Sequence, residues 1–316
     1  MFLLNLIKKI IKRIYYVFYM NPKKRILRQA TFHSLNVNPS FLRVSSEPYI
    51  SGDTFRNNAD HVFDETTSLN PNNIKNNDVV FLKTELKKIY FSEFHHKINS
   101  RYILLTHNSD ISVNEEDLNY LDDKIIHWFA MKLNVKMNEK ISPLPSGFEN
   151  RRFLTNGNIK NYDKVYKKNQ SDTDNKKIHK IFCSFNENTN FNERKPLINI
   201  VKNREDIYMK TFSNNLDYIN NLSLYKYNLC PEGNDFESHR IWETLFFNNI
   251  PIVRSNNVNL NFINLGVPLI MLNNWNDINN LNIQNLVNDF LHNKLEDPRK
   301  FVKFEFWQGL ISQKKI

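Results

Sequence analysis

His239, Arg240 and Glu243 stand together just after the tight loop Pro231-Glu232-Gly233-Asn234, in a stretch that reads YNLCPEGNDFESHRIWETLFFNNIPIVR over residues 227–254. On a helix, Glu243 lies three residues from Arg240 and four from His239, so the three side chains share one face. A guanidinium and an imidazole there suit a diphosphate, and a carboxylate beside them suits the hydroxyls of a ribose. The loop turned by Gly233 and Asn234 follows an apolar run ending at Cys230. Strand, tight loop and helix in that order put backbone amides at the carboxyl edge of a sheet, where open α/β sheets hold anionic ligands. The competing reading is a solvated Arg–Glu pair with no ligand. Glycine usage weighs against it: the chain has 6 glycines against roughly 22 for an average composition, and glycine is kept where φ is positive or backbone must approach closely. Two more tight polar loops hold one each, Ser51-Gly52-Asp53-Thr54-Phe55-Arg56 and Pro145-Ser146-Gly147-Phe148-Glu149-Asn150.

The elements that must position these residues read as two α/β halves. In the first, 78–82 (DVVFL) and 101–106 (RYILLT) have the short apolar runs of buried strands, and 120–133 is expected to be helical, with Ile125, Ile126, Trp128 and Phe129 at its apolar positions. The polar run 161–177 reads as a connection, with the linker itself at 166–177. Beyond it, strands are expected at 178–184, 227–230, 250–254 and 267–272, and helices at 191–203 and 238–247, the last burying Trp242 and Leu245. Strands alternating with helices imply parallel sheets. The expected domains are 26–165 and 178–296, and the aromatic segment 297–316 is expected to pack through Phe301, Phe304, Phe306 and Trp307.

With 316 residues, 41% of them hydrophobic, the chain is long enough for two cores. Its net charge of +10 points to anionic partners without choosing among nucleic acid, phosphate-bearing substrates and membrane. No recognised RNA- or DNA-binding module accompanies the charge, so nucleic acid is not expected as a partner. Cys183 and Cys230 have neither a disulfide framework nor zinc-type spacing, which suits a reducing compartment without a structural metal. An Asp172-Thr173-Asp174 triplet has the form of a metal-holding motif, but it lies within the linker and ahead of a strand, where a solvated surface is expected. Residues 1–25 repeat apolar side chains at helical spacing, interrupted by Lys8, Lys9, Lys12 and Arg13. A spanning helix needs about 20 mostly apolar residues. This one is expected to lie on an anionic membrane surface, making the protein cytoplasmic and peripherally membrane-associated.

The segment CPEGNDFESHRIWETLFFNNIPIV resembles the donor-site motif of exostosin-like glycosyltransferases and related GT-B enzymes, PxGNGxDxHRxWEALxxGxIPVV, with the spacing from Pro231 to Ile252 kept. Asp235 stands where glycine is usual, Glu237 replaces aspartate, and Asn249 replaces the glycine before Ile250. The resemblance implies a GT-B-like fold, with two Rossmann-like domains facing a central cleft. It also implies a nucleotide-sugar donor on the C-terminal half, a glycan or lipid-linked acceptor on the N-terminal half, and no metal or other cofactor. Arg194, His239 and Arg240 would then stabilise the departing nucleoside diphosphate. An inverting transfer needs a general base from the opposing half. Asp53 is the first choice, with His107 and Asp110 as competitors. A catalytically silent nucleotide-sugar or glycan-binding protein is the alternative, motivated by Asp235 and Asn249.

Overall fold

The computed structural model describes residues 43–153, 156–171, 177–281 and 297–316. The basic segment 1–25 and the Asp172-Thr173-Asp174 triplet lie outside the described residues. The first half opens on a short helix, α1 (Gly52–Asn57), capped by Ser51, whose hydroxyl accepts from the Thr54 amide. It continues through β1 (His61–Phe63), β2 (Val79–Lys83), α2 (Lys87–Glu93), β3 (Tyr102–His107), β4 (Ile125–Met131) and β5 (Ile141–Leu144). These five strands are parallel and lie side by side in chain order. After α3 (Ile159–Ser171), the second half runs β6 (Ile178–Cys183), α4 (Phe191–Val201), β7 (Ile207–Met209), α5 (Asn215–Leu224), β8 (Tyr225–Leu229), α6 (Arg240–Phe246), β9 (Ile250–Arg254), α7 (Asn257–Asn264) and β10 (Ile270–Leu272).

The second sheet is also parallel, in the order β10-β9-β8-β6-β7. The chain adds β7 on one side of β6 and then returns to add β8, β9 and β10 on the other. That reversal leaves a crevice at the carboxyl ends of β6 and β8, the place where open α/β sheets bind ligands. The two parallel sheets match the two α/β halves expected from the alternating pattern and are consistent with the two-domain, Rossmann-like arrangement that the resemblance implies.

Two local expectations are corrected. Residues 125–131 form a strand instead of a helix, and all seven are buried. A strand in the middle of a parallel sheet is covered on both faces, so its apolar run is continuous and lacks the alternation that would separate it from a buried helix. The run 161–177, read as a polar connection, is helical through Ser171: Tyr162 and Val165 are buried on one face of α3, while its lysines lie outside. Tyr162 packs edge-on against Phe148 and Phe246, ring centroids 4.9 and 5.8 Å away, so α3 ties the N-terminal half to α6.

The last helix, α8 (Phe304–Ser312), joins the halves a second time. Trp307 is fully buried against Trp242 and Phe262, at 6.0 and 6.3 Å, on the C-terminal side. Phe304 packs on Phe55 of α1 at 5.5 Å, and the Ile50 amide donates to the Val302 carbonyl at 3.0 Å. Trp307→Ala is therefore expected to destabilise the whole chain, not one half, by about 3–5 kcal/mol. Denaturant unfolding followed by near-UV circular dichroism checks this, and a loss confined to one of two separate transitions would contradict it.

Candidate functional site

A cleft of about 630 Å³ lies between the halves, lined from one side by the ends of β3, β4 and β5 and from the other by the loops after β6 and β8. The loop after β8 turns at Gly233, where a Cβ would come within 2.9 Å of the Glu237 carbonyl. Helix α6 starts at Arg240, two residues later than the sequence pattern suggests, and is only two turns long. Its side chains, more than its dipole, therefore set the electrostatics there.

Arg194 in α4 and Arg240 in α6 come from the two elements that follow the strands flanking the crevice. Arg194 donates to the carbonyls of Glu232 at 2.9 Å and Asn186 at 2.7 Å, and so braces the two crevice loops against each other. Burial, and after it the neighbouring Arg240 charge, push Arg194 down to about 10. Burial also works against the Arg240 cation, but Tyr218 and Glu243 outweigh it and hold Arg240 above its ordinary value. The Arg240 Nε is buried without a hydrogen-bond partner. Among the described residues, no carboxylate lies within ion-pair distance of either guanidinium. Glu243 shares the cleft with Arg240, and its two oxygens accept from Tyr162 and Tyr218, each at 2.8 Å. Burial, and then Glu243 itself, push both phenols well up, so they remain donors.

His239 reaches across the cleft. Its Nδ1–H donates to the Gly147 carbonyl at 2.7 Å, and its Nε2 lies 3.5 Å from the Glu149 carboxylate. Burial opposes the imidazolium, but Glu149 and the Gly147 carbonyl overcome it and raise the His239 pKa. Asn234 is exposed at the cleft mouth, with its amide 3.5 Å from Asp110. A second chamber of about 650 Å³ opens beyond Arg240 and Glu243, lined by Phe185, Phe212 and Tyr218 with several asparagine side chains.

The three residues expected to supply a base differ in their surroundings. The Asp53 side chain is 0% exposed, and its oxygens accept from Arg152 at 2.7 and 2.8 Å, Arg43 at 3.0 Å and Asn108 at 3.2 Å. It sits behind the cleft wall, and two guanidinium partners suit it to holding Arg152 in place more than to taking a proton. His107 lines the cleft but is enclosed: its Nε2–H donates to the Pro145 carbonyl at 2.9 Å, and its Nδ1 accepts from the Asn108 amide at 2.7 Å. Burial pushes it down to about 4. Asp110 is at the rim, 70% exposed, and pairs with Lys132 at 3.2 Å. Sequence reasoning missed Arg152, Lys132, Glu149 and Glu237 as cleft residues. The tight glycine loop at Gly147 was the available signal for Glu149 and Arg152.

The departures from the glycosyltransferase motif have structural partners. Asp235 accepts from Ser112 of the opposite half and from its own Phe236 amide at 2.9 Å. Glu237 accepts from the Ser146 amide and hydroxyl, at 2.8 and 2.9 Å, and from Trp242 Nε1 at 2.5 Å. Burial raises the Glu237 pKa. Asn249 is buried and donates to the Leu222 carbonyl at 2.9 Å. Cys183 and Cys230 are both buried, and burial pushes each thiol up to about 12. Among the described residues, no group of His, Cys, Asp and Glu side chains is placed to hold a metal ion. No protein-family model matches the chain, and no curated protein matches it in sequence.

His107 and His127, both buried and pushed down to about 4, give the fold a defined acid sensitivity. The unfolded chain takes up protons near 6.5, so their contribution is complete above that pH and is lost as pH falls toward 4. Each histidine then accounts for on the order of 3 kcal/mol at pH 4. His239, raised instead, contributes with the opposite sign: its share is complete below about 6.5 and is lost as pH rises through its folded value. Thermal melts of His107→Asn against the parent are expected to show a shallower loss of stability between about pH 6.5 and 4. Parallel curves would mean that folding leaves the His107 pKa at its unfolded value.

Proposed function

We propose that the protein is a glycosyltransferase, moving a sugar from a nucleotide-sugar donor to a hydroxyl of a glycan or lipid-linked acceptor. The observation that carries this reading is the pair of cations at the crevice. Arg194 and Arg240 face one cleft from adjacent elements, close enough to interact and with no ion-paired carboxylate among the described residues. Two such charges at a topological switch point suit a diphosphate. Glu243, between Arg240 and the chamber lined by Phe185 and Phe212, has the position and chemistry to accept from ribose hydroxyls. His239 stands next to Arg240 at the start of α6, with its Nε2 3.5 Å from Glu149 across the cleft. The exostosin-like motif supports this assignment of the C-terminal half to the donor and of the N-terminal half to the acceptor. The transfer is read as metal-independent because guanidinium groups occupy the place where the leaving diphosphate needs positive charge, and as inverting with one base on the acceptor half.

A silent nucleotide-sugar-binding protein would use the same cleft without turnover. Asp235 and Asn249, the departures that motivate this alternative, are engaged in holding loops and helices together, and turnover of a nucleotide-sugar separates the two readings.

A thermal-shift series with UDP, GDP, ADP and CDP tests the donor site. A matching nucleotide at 100 times its dissociation constant should stabilise the protein by about 2.7 kcal/mol. Arg240→Ala should weaken that binding by about 1.5–3 kcal/mol, the worth of a hydrogen bond to a charged group. Equal affinity in the variant would remove Arg240 from the site, and no response to any nucleotide would defeat the reading as a whole.

Attachment to an anionic membrane surface is proposed for residues 1–25, from their basic amphipathic sequence. No helix among the described residues is long and apolar enough to cross a membrane. Removing residues 1–20 should abolish cosedimentation with phosphatidylserine vesicles and leave the melting transition in place. Binding that survives the truncation would assign the membrane contact elsewhere.

A further inference from the structure

The loop after β5 is fixed at nearly every residue. Ser146 donates through its amide and hydroxyl to Glu237. Gly147, at φ 65°, lies so close to the segment before α1 that a Cβ would meet the Ile50 carbonyl at 2.6 Å. The Phe148 amide donates to that same carbonyl, and its ring is buried against Tyr162 and Phe246. Asn150 accepts from the Asp53 amide at 2.6 Å and donates to Asn108 at 2.9 Å. Between these anchors stands Glu149, whose side chain is 25% exposed and lines the cleft. One oxygen accepts from the Asn150 amide at 3.2 Å, and the other faces His239 Nε2 at 3.5 Å. Among the described residues, no lysine or arginine lies within ion-pair distance of it. Of the acidic groups that the N-terminal half brings to the cleft, it is therefore the one presented by a rigid loop, partly open to solvent and without a guanidinium or ammonium partner.

We propose that Glu149 is the catalytic base of the acceptor half and that His239 positions its carboxylate. The assignment rests on the glycosyltransferase reading of the cleft. In the step it describes, the acceptor hydroxyl oxygen bonds to the anomeric carbon while its proton passes to Glu149. The bond between the anomeric carbon and the diphosphate oxygen breaks, and its electron pair stays on the nucleoside diphosphate beside Arg194 and Arg240. The other titratable groups coupled to the Glu149–His239 pair are Glu237 and Glu243 from the C-terminal half and His107 from the N-terminal half. Glu237 is tied to Ser146 and Trp242, Glu243 to two tyrosines, and His107 to backbone at both nitrogens.

The full chain is assayed for release of nucleoside diphosphate from UDP-glucose, UDP-N-acetylglucosamine and GDP-mannose with water as acceptor, across the acidic and neutral pH range. Glu149→Gln should release it about 10²- to 10⁴-fold more slowly, the usual worth of a positioned base. The donor KM should stay nearly unchanged, and the acidic limb of the pH–rate profile should vanish. Glu149→Asp, with a carboxylate one methylene shorter, should keep part of the rate and the acidic limb. A thermal shift with UDP or GDP equal to the parent's shows that the Gln variant is folded with its donor site intact. Parent-like release and an unaltered pH profile in Glu149→Gln overturn the base assignment alone. A parent that binds the diphosphates but releases none overturns turnover and base together and leaves a binding protein. A parent that binds none overturns the donor site beneath both.

Discussion

The geometry of the cleft hangs on a carboxylate that never meets water. Asp53 is held between Arg43 and Arg152, and its own amide donates to Asn150. A buried charge costs several kcal/mol unless paired and hydrogen-bonded, and removing one partner of such a cluster leaves the other uncompensated. Here the pairing reaches three parts of the N-terminal half at once. Arg43 belongs to the first described residues, Asn108 to the turn after β3, and Asn150 and Arg152 to the loop after β5. Gly52 permits this assembly: a Cβ there would meet the Asn108 side chain at 1.8 Å. The SGDTFR loop keeps its glycine for close approach, and the aspartate beside it is the anchor for which that approach makes room.

The two halves are locked by side chains from the same loops that form the cleft. Glu237, Asp235 and His239 from the C-terminal half engage Ser146, Ser112 and Gly147 of the other. Further along, Asn261 of α7 donates to the carbonyls of Leu133 and Val135 beyond β4. Glutamate at position 237 has the reach for two donors on Ser146 while still accepting from Trp242. Charged residues at 235 and 237, which depart from the sequence motif, thus act in cohesion between the halves.

The amphipathic and strand patterns make part of the second half legible: β9 matches to the residue, and β6, β8, α4 and α6 to within a few residues, where a strand run is bounded by polar loops or a helix keeps an apolar stripe, whereas β7, α5 and α7 fall in stretches for which the pattern predicts no element. The first half was harder. Short strands such as β1 and β5 carry three or four residues each, too few for a period to show, and β4 is buried on both faces. The cationic residues were legible individually, since Arg194 and Arg240 stand out beside their loops. Their convergence was not, because it follows from the reversal of strand order between β6 and β8, which leaves no local trace. The base candidates show the same limit from the other side. Residue type marks Asp53 and His107 as able to exchange protons, but their availability depends also on distant partners, Pro145 38 residues from His107 and Arg152 99 residues from Asp53.

Net charge proves a poor guide to the cleft for a related reason. A chain with a formal charge of +10 suggests a strongly positive site. Within the cleft, Lys132 is matched by Asp110, Arg152 by Asp53 and His239 by Glu149. A charge already paired at 3 Å does little for an incoming anion, because the field of the pair falls off faster than that of either member. The attraction left for a ligand comes from Arg194 and Arg240, which rest on carbonyls and tyrosines in place of ion-paired carboxylates. Burial and the neighbouring Arg240 charge disfavour the Arg194 cation, whereas Tyr218 and Glu243 offset the burial of Arg240, so the two guanidinium groups stand close together on unequal terms.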